Sequence, residues 1–227
     1  MKTVSTTPCA GPSLADRSEI SNAPSGIGGN GALEDLLGEI RSCTRCAAHL
    51  PRGPRPVLQA SPAARLVVAA QAPGTKVHET GLPFNDPSGD RLRDWMGIDR
   101  ETFYDAARVN IIPMGFCYPG RNPRGGDNPP RPECARLWHA RLFAALPPQA
   151  LILVIGQYAQ AWHLGARRKR SLTKTVRHWR DYLPSHLPLP HPSPRNTYWL
   201  QRHPWFEAEV IPELRRRVAA ILEERML

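Results

Sequence analysis

At 227 residues the chain suits one α/β domain plus a tail. Its 41% apolar content and 25 prolines still allow a packed core, and no run of about 18 apolar residues reads as a membrane span. The start of the chain lacks the apolar stretch of a secretory signal, so the expectation is an intracellular, cytoplasmic protein. A net charge of +10, from 30 basic and 20 acidic residues, favours a polyanionic partner, of which nucleic acid is the commonest.

Residues 1–31 are rich in Ser, Thr, Pro and Gly without periodicity, which predicts a disordered tail carrying an incidental Cys9. One domain is expected over 32–227. Apolar residues at helical spacing predict a helix over 33–40, which runs into Cys43-Thr44-Arg45-Cys46. Prolines 51, 54, 56 and 62 mark an ordered loop. The run Leu66-Val67-Val68-Ala69-Ala70 reads as a buried parallel strand.

The stretch that follows, residues 71–89, reads as an irregular Gly/Pro-rich loop, with a helix after it capped by Ser88 or Asp90. Such a loop, at the C-terminal end of a strand, is where open α/β sheets place ligands. Gln71, His78, Glu79, Phe84, Asn85 and Asp86 are therefore candidates to line a pocket. Asp99-Arg100-Glu101 is read as the close of that helix.

Residues 108–112 predict a second strand, and 119–132 a long surface loop. A helix is expected over 135–146, a buried strand over 151–155, and a Gly156-led helix behind it, where glycine allows close approach to the sheet. A basic segment, 167–180, is expected on the surface, whereas Arg215-Arg216-Arg217 reads as a solvated helix face. Leu187 to Pro190 lead into His191-Pro192-Ser193-Pro194-Arg195-Asn196, and Trp199, Trp205 and Phe206 are expected to pack against the sheet.

Cys43, Cys46, Cys117 and Cys134 are the remaining cysteines. A Cys-x-x-Cys pair in an intracellular chain points to metal or redox chemistry more often than to a disulfide. Four thiolates suit either a tetrahedral zinc or a 4Fe–4S cluster, and scattered cysteines acting as small buried hydrophobes remain the plain alternative.

The pattern from Gln71-Ala72-Pro73-Gly74 through Gly81-Leu82-Pro83-Phe84 to Ser88-Gly89 resembles the first motif of the uracil-DNA glycosylase superfamily, residue for residue in spacing. His191-Pro192-Ser193-Pro194 resembles its second motif, in the family's order and separation. The four cysteines fall where the iron–sulfur branch has its cluster ligands. The resemblance covers about residues 33–210. It implies a three-layer α/β sandwich with a central, mostly parallel four-stranded sheet flanked by helices. It also implies a monomer that removes uracil or another deaminated base from DNA, with a 4Fe–4S cluster ordering its DNA-contacting loops.

On that resemblance His191, Gln71 and Asp86 are the catalytic candidates, His191 as donor to the base carbonyl oxygen. Phe84 is the stacking platform, and Ala72, Gly74 and Met114 contact the base through backbone groups. Ser193 and Arg195 touch phosphates. The chain departs from the branch at Gln71, where a Glu is expected, at Val77-His78, where Glu-Asp is expected, and at Pro113, where an Asn is expected. Glu79 and His78 are further candidates for a missing acid or polar group. The two departures at Gln71 and Pro113 favour the alternative of a catalytically weak or inactive iron–sulfur DNA-binding protein.

Overall fold

The structure, a computed structural model, describes residues 30–123 and 125–223. The tail predicted over 1–31 lies outside the described residues except for its last two positions, which open the first helix, α1 (Asn30–Arg41). Cys9 lies outside them as well. Among the described residues no helix is long and apolar enough to cross a membrane.

Four strands, β1 (Leu66–Ala69), β2 (Val109–Ile111), β3 (Leu151–Ile155) and β4 (His186–Leu189), form one sheet in the order β2-β1-β3-β4. Every pairing is parallel, with Val68 opposite Ile111 on one side and Leu153 on the other. Pro188, which lacks an N–H for the ladder, sits in the edge strand β4, where that loss is tolerated. The sheet is thus the expected four-stranded one, and fully parallel.

Side chains alternate between two faces, and both faces are covered, as parallel sheets require. On one face Leu66, Val68, Leu153 and Leu187 join a core with α3 (Pro87–Met96) and α9 (Ile211–Glu223) through Leu92, Trp95, Leu214 and Val218. Phe206 is buried there, with Trp199 and Trp205 packed beside it, as the sequence predicts. On the other face Val67, Ala69 and Val154 meet α1, α5 (Pro132–Ala145) and α6 (Gly156–Leu164) through Leu37, Ile40, Trp138, Leu142 and Ala159. The expected three-layer sandwich is present.

Several boundaries differ from the sequence reading. The loop 71–89 contains a short helix, α2 (Thr75–Thr80), closed by Gly81 in the left-handed conformation. Helix α3 starts at Pro87, and its cap is Asp86, whose Oδ1 accepts the Gly89 N–H over 2.9 Å, rather than Ser88 or Asp90. It ends at a left-handed Gly97, and Asp99 caps a separate helix, α4 (Arg100–Tyr104). Helix α5 begins at Pro132, a favoured first-turn position for proline, rather than at Ala135. Two further helices complete the chain order, α7 (Leu172–Arg177) and α8 (Thr197–Arg202).

Candidate active site

A cleft of about 630 Å³ opens at the C-terminal ends of the strands. Its walls come from the segments after β1 (Gln71, Ala72, Gly74, Phe84, Asp86), after β2 (Pro113, Arg121, Asp127) and after β4 (His191, Ser193, Arg195). The sheet order changes direction beside β1, the place where open α/β sheets form ligand crevices.

His191 follows β4 by one residue beyond Pro190. Gln160 on α6 steadies the strand end by donating Nε2–H to the Leu189 carbonyl at 3.0 Å. Asn196 donates to the His191 carbonyl at 2.7 Å, and Arg91 on α3 donates to the Ser193 carbonyl at 3.1 Å. The Ser193 backbone N–H donates to His191 Nδ1 at 3.2 Å, which makes Nδ1 the acceptor and leaves the ring proton on Nε2. Burial pushes the imidazole below its ordinary pKa, with the Asp86 carboxylate opposing that shift. His191 is therefore a neutral Nε2–H donor. Gly156, at a φ of +78°, passes close behind it: a Cβ there would lie 4.0 Å from the His191 Cβ.

Phe84 is the non-glycine residue held at positive φ, +53°, and its ring stands edge-on to Phe103 at 6.1 Å. For a bulky side chain that backbone conformation costs on the order of 1–3 kcal/mol. The closing Gly89 explains how it is held: a Cβ on Gly89 would fall 1.8 Å from the Phe84 carbonyl oxygen. Tyr104 donates its hydroxyl proton to the Pro83 carbonyl at 2.9 Å and fixes the segment from the other side.

Gln71 donates Nε2–H to the Asn128 carbonyl at 3.3 Å, and its own carbonyl accepts the Gly115 N–H at 3.0 Å. The segment, described over 119–123 and 125–128, is thereby drawn over the cleft, with an antiparallel backbone bridge between Arg121 and Asp127 and with Asn128 bonded to Gly120 and Pro119. It is not a plain surface loop. It brings in Asp127, which sequence reasoning missed. Burial raises the Asp127 pKa, while Arg195 and Arg121 pull it down. Its Oδ2 lies 3.4 Å from where a Gly74 side chain would begin. The only sequence signal was an acid between a glycine pair and a proline pair, Gly125-Gly126-Asp127-Asn128-Pro129-Pro130.

The structure corrects four other candidates. Met114 is buried in the core and its N–H donates to the Ala70 carbonyl at 2.8 Å, extending the sheet instead of facing the cleft. Glu79 pairs with Arg52 at 2.6 Å, His78 tilts against the buried Tyr118 at 5.9 Å with its own Nδ1 buried, and Asn85 accepts from Arg100 at 3.0 Å; none of the three lines the cleft.

These features converge with one comparison. A profile described as the Uracil DNA glycosylase superfamily matches residues 59–215. The chain belongs to the uracil-DNA glycosylase superfamily. Membership points to base-excision chemistry on a DNA substrate, and the matched span contains both loops that build the cleft.

Cys43, Cys46, Cys117 and Cys134 line a second, small cavity between α1, α5 and the segment after β2. All four are free thiols, and Cys134 Sγ accepts the Phe116 N–H at 3.3 Å. Burial pushes Cys117 up to about 11 and Cys134 up to about 12, with the neighbouring thiols adding to both shifts. A positive centre at the cavity would reverse that penalty. Among the described residues no group of three or more His, Cys, Asp or Glu closes on a single metal ion. Part of the basic surface is engaged: Arg177 and Arg180 share Glu209 at 2.6 and 3.2 Å, Lys169 meets Asp181 at 2.8 Å, and Arg216 and Arg217 both hold Glu213, as expected of a solvated face.

Proposed function

We propose that the protein is a monofunctional DNA glycosylase that hydrolyses the bond between deoxyribose and uracil or another deaminated base. The observation that carries this reading is the neutral His191 Nε2–H on the same cleft as the strained Phe84 ring. In such a reaction negative charge develops on the departing base and positive charge on the sugar. A preorganised donor aimed at the base oxygen is worth about 3–4 kcal/mol in a water-excluded site. His191 supplies it without first losing a proton to solvent.

Flipping the base from the helix costs a few kcal/mol, and stacking on an aromatic face returns about 1–3 kcal/mol. Phe84 is that face. Asp86 caps α3 with one oxygen and turns its charge toward the cleft, where it favours a developing positive sugar. Ser193 and Arg195 at the rim suit phosphate contacts.

The iron–sulfur branch is part of the same reading. Cys43, Cys46, Cys117 and Cys134 suit a 4Fe–4S cluster, because the four thiols line one cavity and four thiolates are the ligand set that such a cluster takes. The group would neutralise the four sulfurs and tie α1, α5 and the segment after β2 together. Its role is architectural.

The test is alkali-induced strand cleavage of oligonucleotides carrying one uracil, hypoxanthine or xanthine, with anaerobically purified protein and His191→Ala. Base release that vanishes in the variant supports the function. No release on any of the three, from protein with its metal intact, overturns it.

A further inference from the structure

Pro113 stands where the branch has an Asn, which leaves the base without that side chain. The nearby backbone does not replace it. The Met114 N–H is bonded to Ala70, and the Pro113 carbonyl accepts His139 Nε2–H at 3.0 Å. The Gln71 amide nitrogen donates to the Asn128 carbonyl. Asp86 caps α3 with Oδ1, and its remaining charge is assigned above to the sugar rather than to the base. On this wall the Asp127 carboxylate stands exposed beside Gly74, with Arg195 and Arg121 as its charged neighbours and Asp86 across the cleft. The glycine matters: at 3.4 Å its absent Cβ leaves the carboxylate room beside the turn that follows β1.

We propose that Asp127 is a specificity-determining residue that reads the ring N–H created by deamination. This rests on the glycosylase function argued above. Cytosine presents an acceptor at N3 and adenine an acceptor at N1. Deamination turns these into N–H donors in uracil and hypoxanthine. An ionised carboxylate accepts from the donor and repels the lone pair of the parent base. One residue thus selects two lesions against their two parents, by a charge-assisted hydrogen bond rather than by shape. Gln71 acts as its positioning residue, since it fastens the adjoining Asn128 carbonyl.

The experiment is single-turnover base release from oligonucleotides carrying uracil, hypoxanthine, cytosine or adenine at one position. It compares wild type with Asp127→Ala and the isosteric Asp127→Asn, with melting temperatures confirming the fold. Asp127→Ala is expected to slow uracil and hypoxanthine release by on the order of 10- to 100-fold, the size of one hydrogen bond to a charged group. Asp127→Asn can turn its amide to donate, so the ratio of uracil to cytosine release is expected to fall. An active wild type whose rates and ratio are unchanged in both variants overturns the assignment and leaves the function standing. A wild type that releases no base overturns the function and this assignment together.

Discussion

The Ser193 backbone N–H and the His191 Nδ1 lie 3.2 Å apart, so the second motif sets the tautomer of its own histidine. The imidazole pKa is lowered by burial, and the neutral form is therefore the working form throughout the neutral range. Base release is expected to show no loss from histidine deprotonation between about pH 6.5 and 8, starting from the ordinary histidine value. His191→Ala should cost about 100- to 1,000-fold in rate, the usual effect of deleting one such donor. A rate that falls steeply with rising pH across this range would mean that the cation does the work.

Phe84 and Gly89 form one device. Replacing Phe84 by Leu removes the stacking face, and base release should weaken by about 1–3 kcal/mol in apparent affinity. Replacing Phe84 by Gly removes the stack and relieves the positive-φ strain but gives up the ring's packing on Phe103, so it should slow base release and melt no lower than Phe84→Ala, which loses the same ring and keeps the strain. Gly89→Ala has the opposite character: its methyl meets the Phe84 carbonyl oxygen at 1.8 Å, so both the loop and the α3 cap must shift. Thermal melts paired with activity on uracil-containing DNA separate these variants. A Phe84→Gly protein that melts lower than Phe84→Ala contradicts the strain argument.

Much of this site was legible in the sequence because it rests on local rules. The strands were apolar runs bounded by turn residues, and the residues of the two loops fall together because parallel strands deliver their C-terminal ends to one edge. What escaped was tertiary. The Asp86 cap looks like any loop acid until Pro87 is seen at the first helical position. Helix α2 is too short to show a period. Asp127 reaches the cleft only because Gln71 holds its segment above it, and no local pattern encodes that bond. Met114 was misplaced for the same reason, since its N–H continues a ladder that the sequence shows only up to Ile112.

Gln71 offers a direct test of that latch. Restoring the branch's acid, Gln71→Glu, puts a carboxylate against the Asn128 carbonyl in place of an N–H donor. The net loss of one hydrogen bond is about 1 kcal/mol, with a further penalty if the acid stays part-buried. The expected outcome is faster protease cleavage within 119–128 and slower base release. Equal protease resistance in the two proteins would show that the segment stands without the latch.

The cysteine cavity predicts a specific metal content. Anaerobically purified protein should be brown, with broad absorbance and about four irons and four sulfides per chain. Cys134→Ser removes one of the four thiols proposed to hold the cluster, the one that also receives the Phe116 N–H, and should eliminate the colour and loosen α5 from α1. Stoichiometric zinc without iron would replace the cluster by a single-ion site.

His139 controls a separate dependence, on acid. It is 1% exposed, stacks on Phe116 at 5.5 Å and donates to Pro113, and burial lowers its pKa to about 4. In the unfolded chain the same ring titrates near 6.5. Between these values the unfolded state binds a proton that the native state refuses, so stability falls as pH drops from about 6.5 to about 4 and is complete above that window. The difference amounts to about 3 kcal/mol for this one ring. His163, lowered to about 3 by burial, acts in the same direction. Denaturant unfolding at pH 7 and pH 4.5 should therefore show a marked acid loss. His139→Gln keeps a donor for Pro113 but cannot titrate, so its loss between the two pH values should be smaller than wild type's. Identical pH slopes in the two proteins would assign the acid sensitivity to other groups.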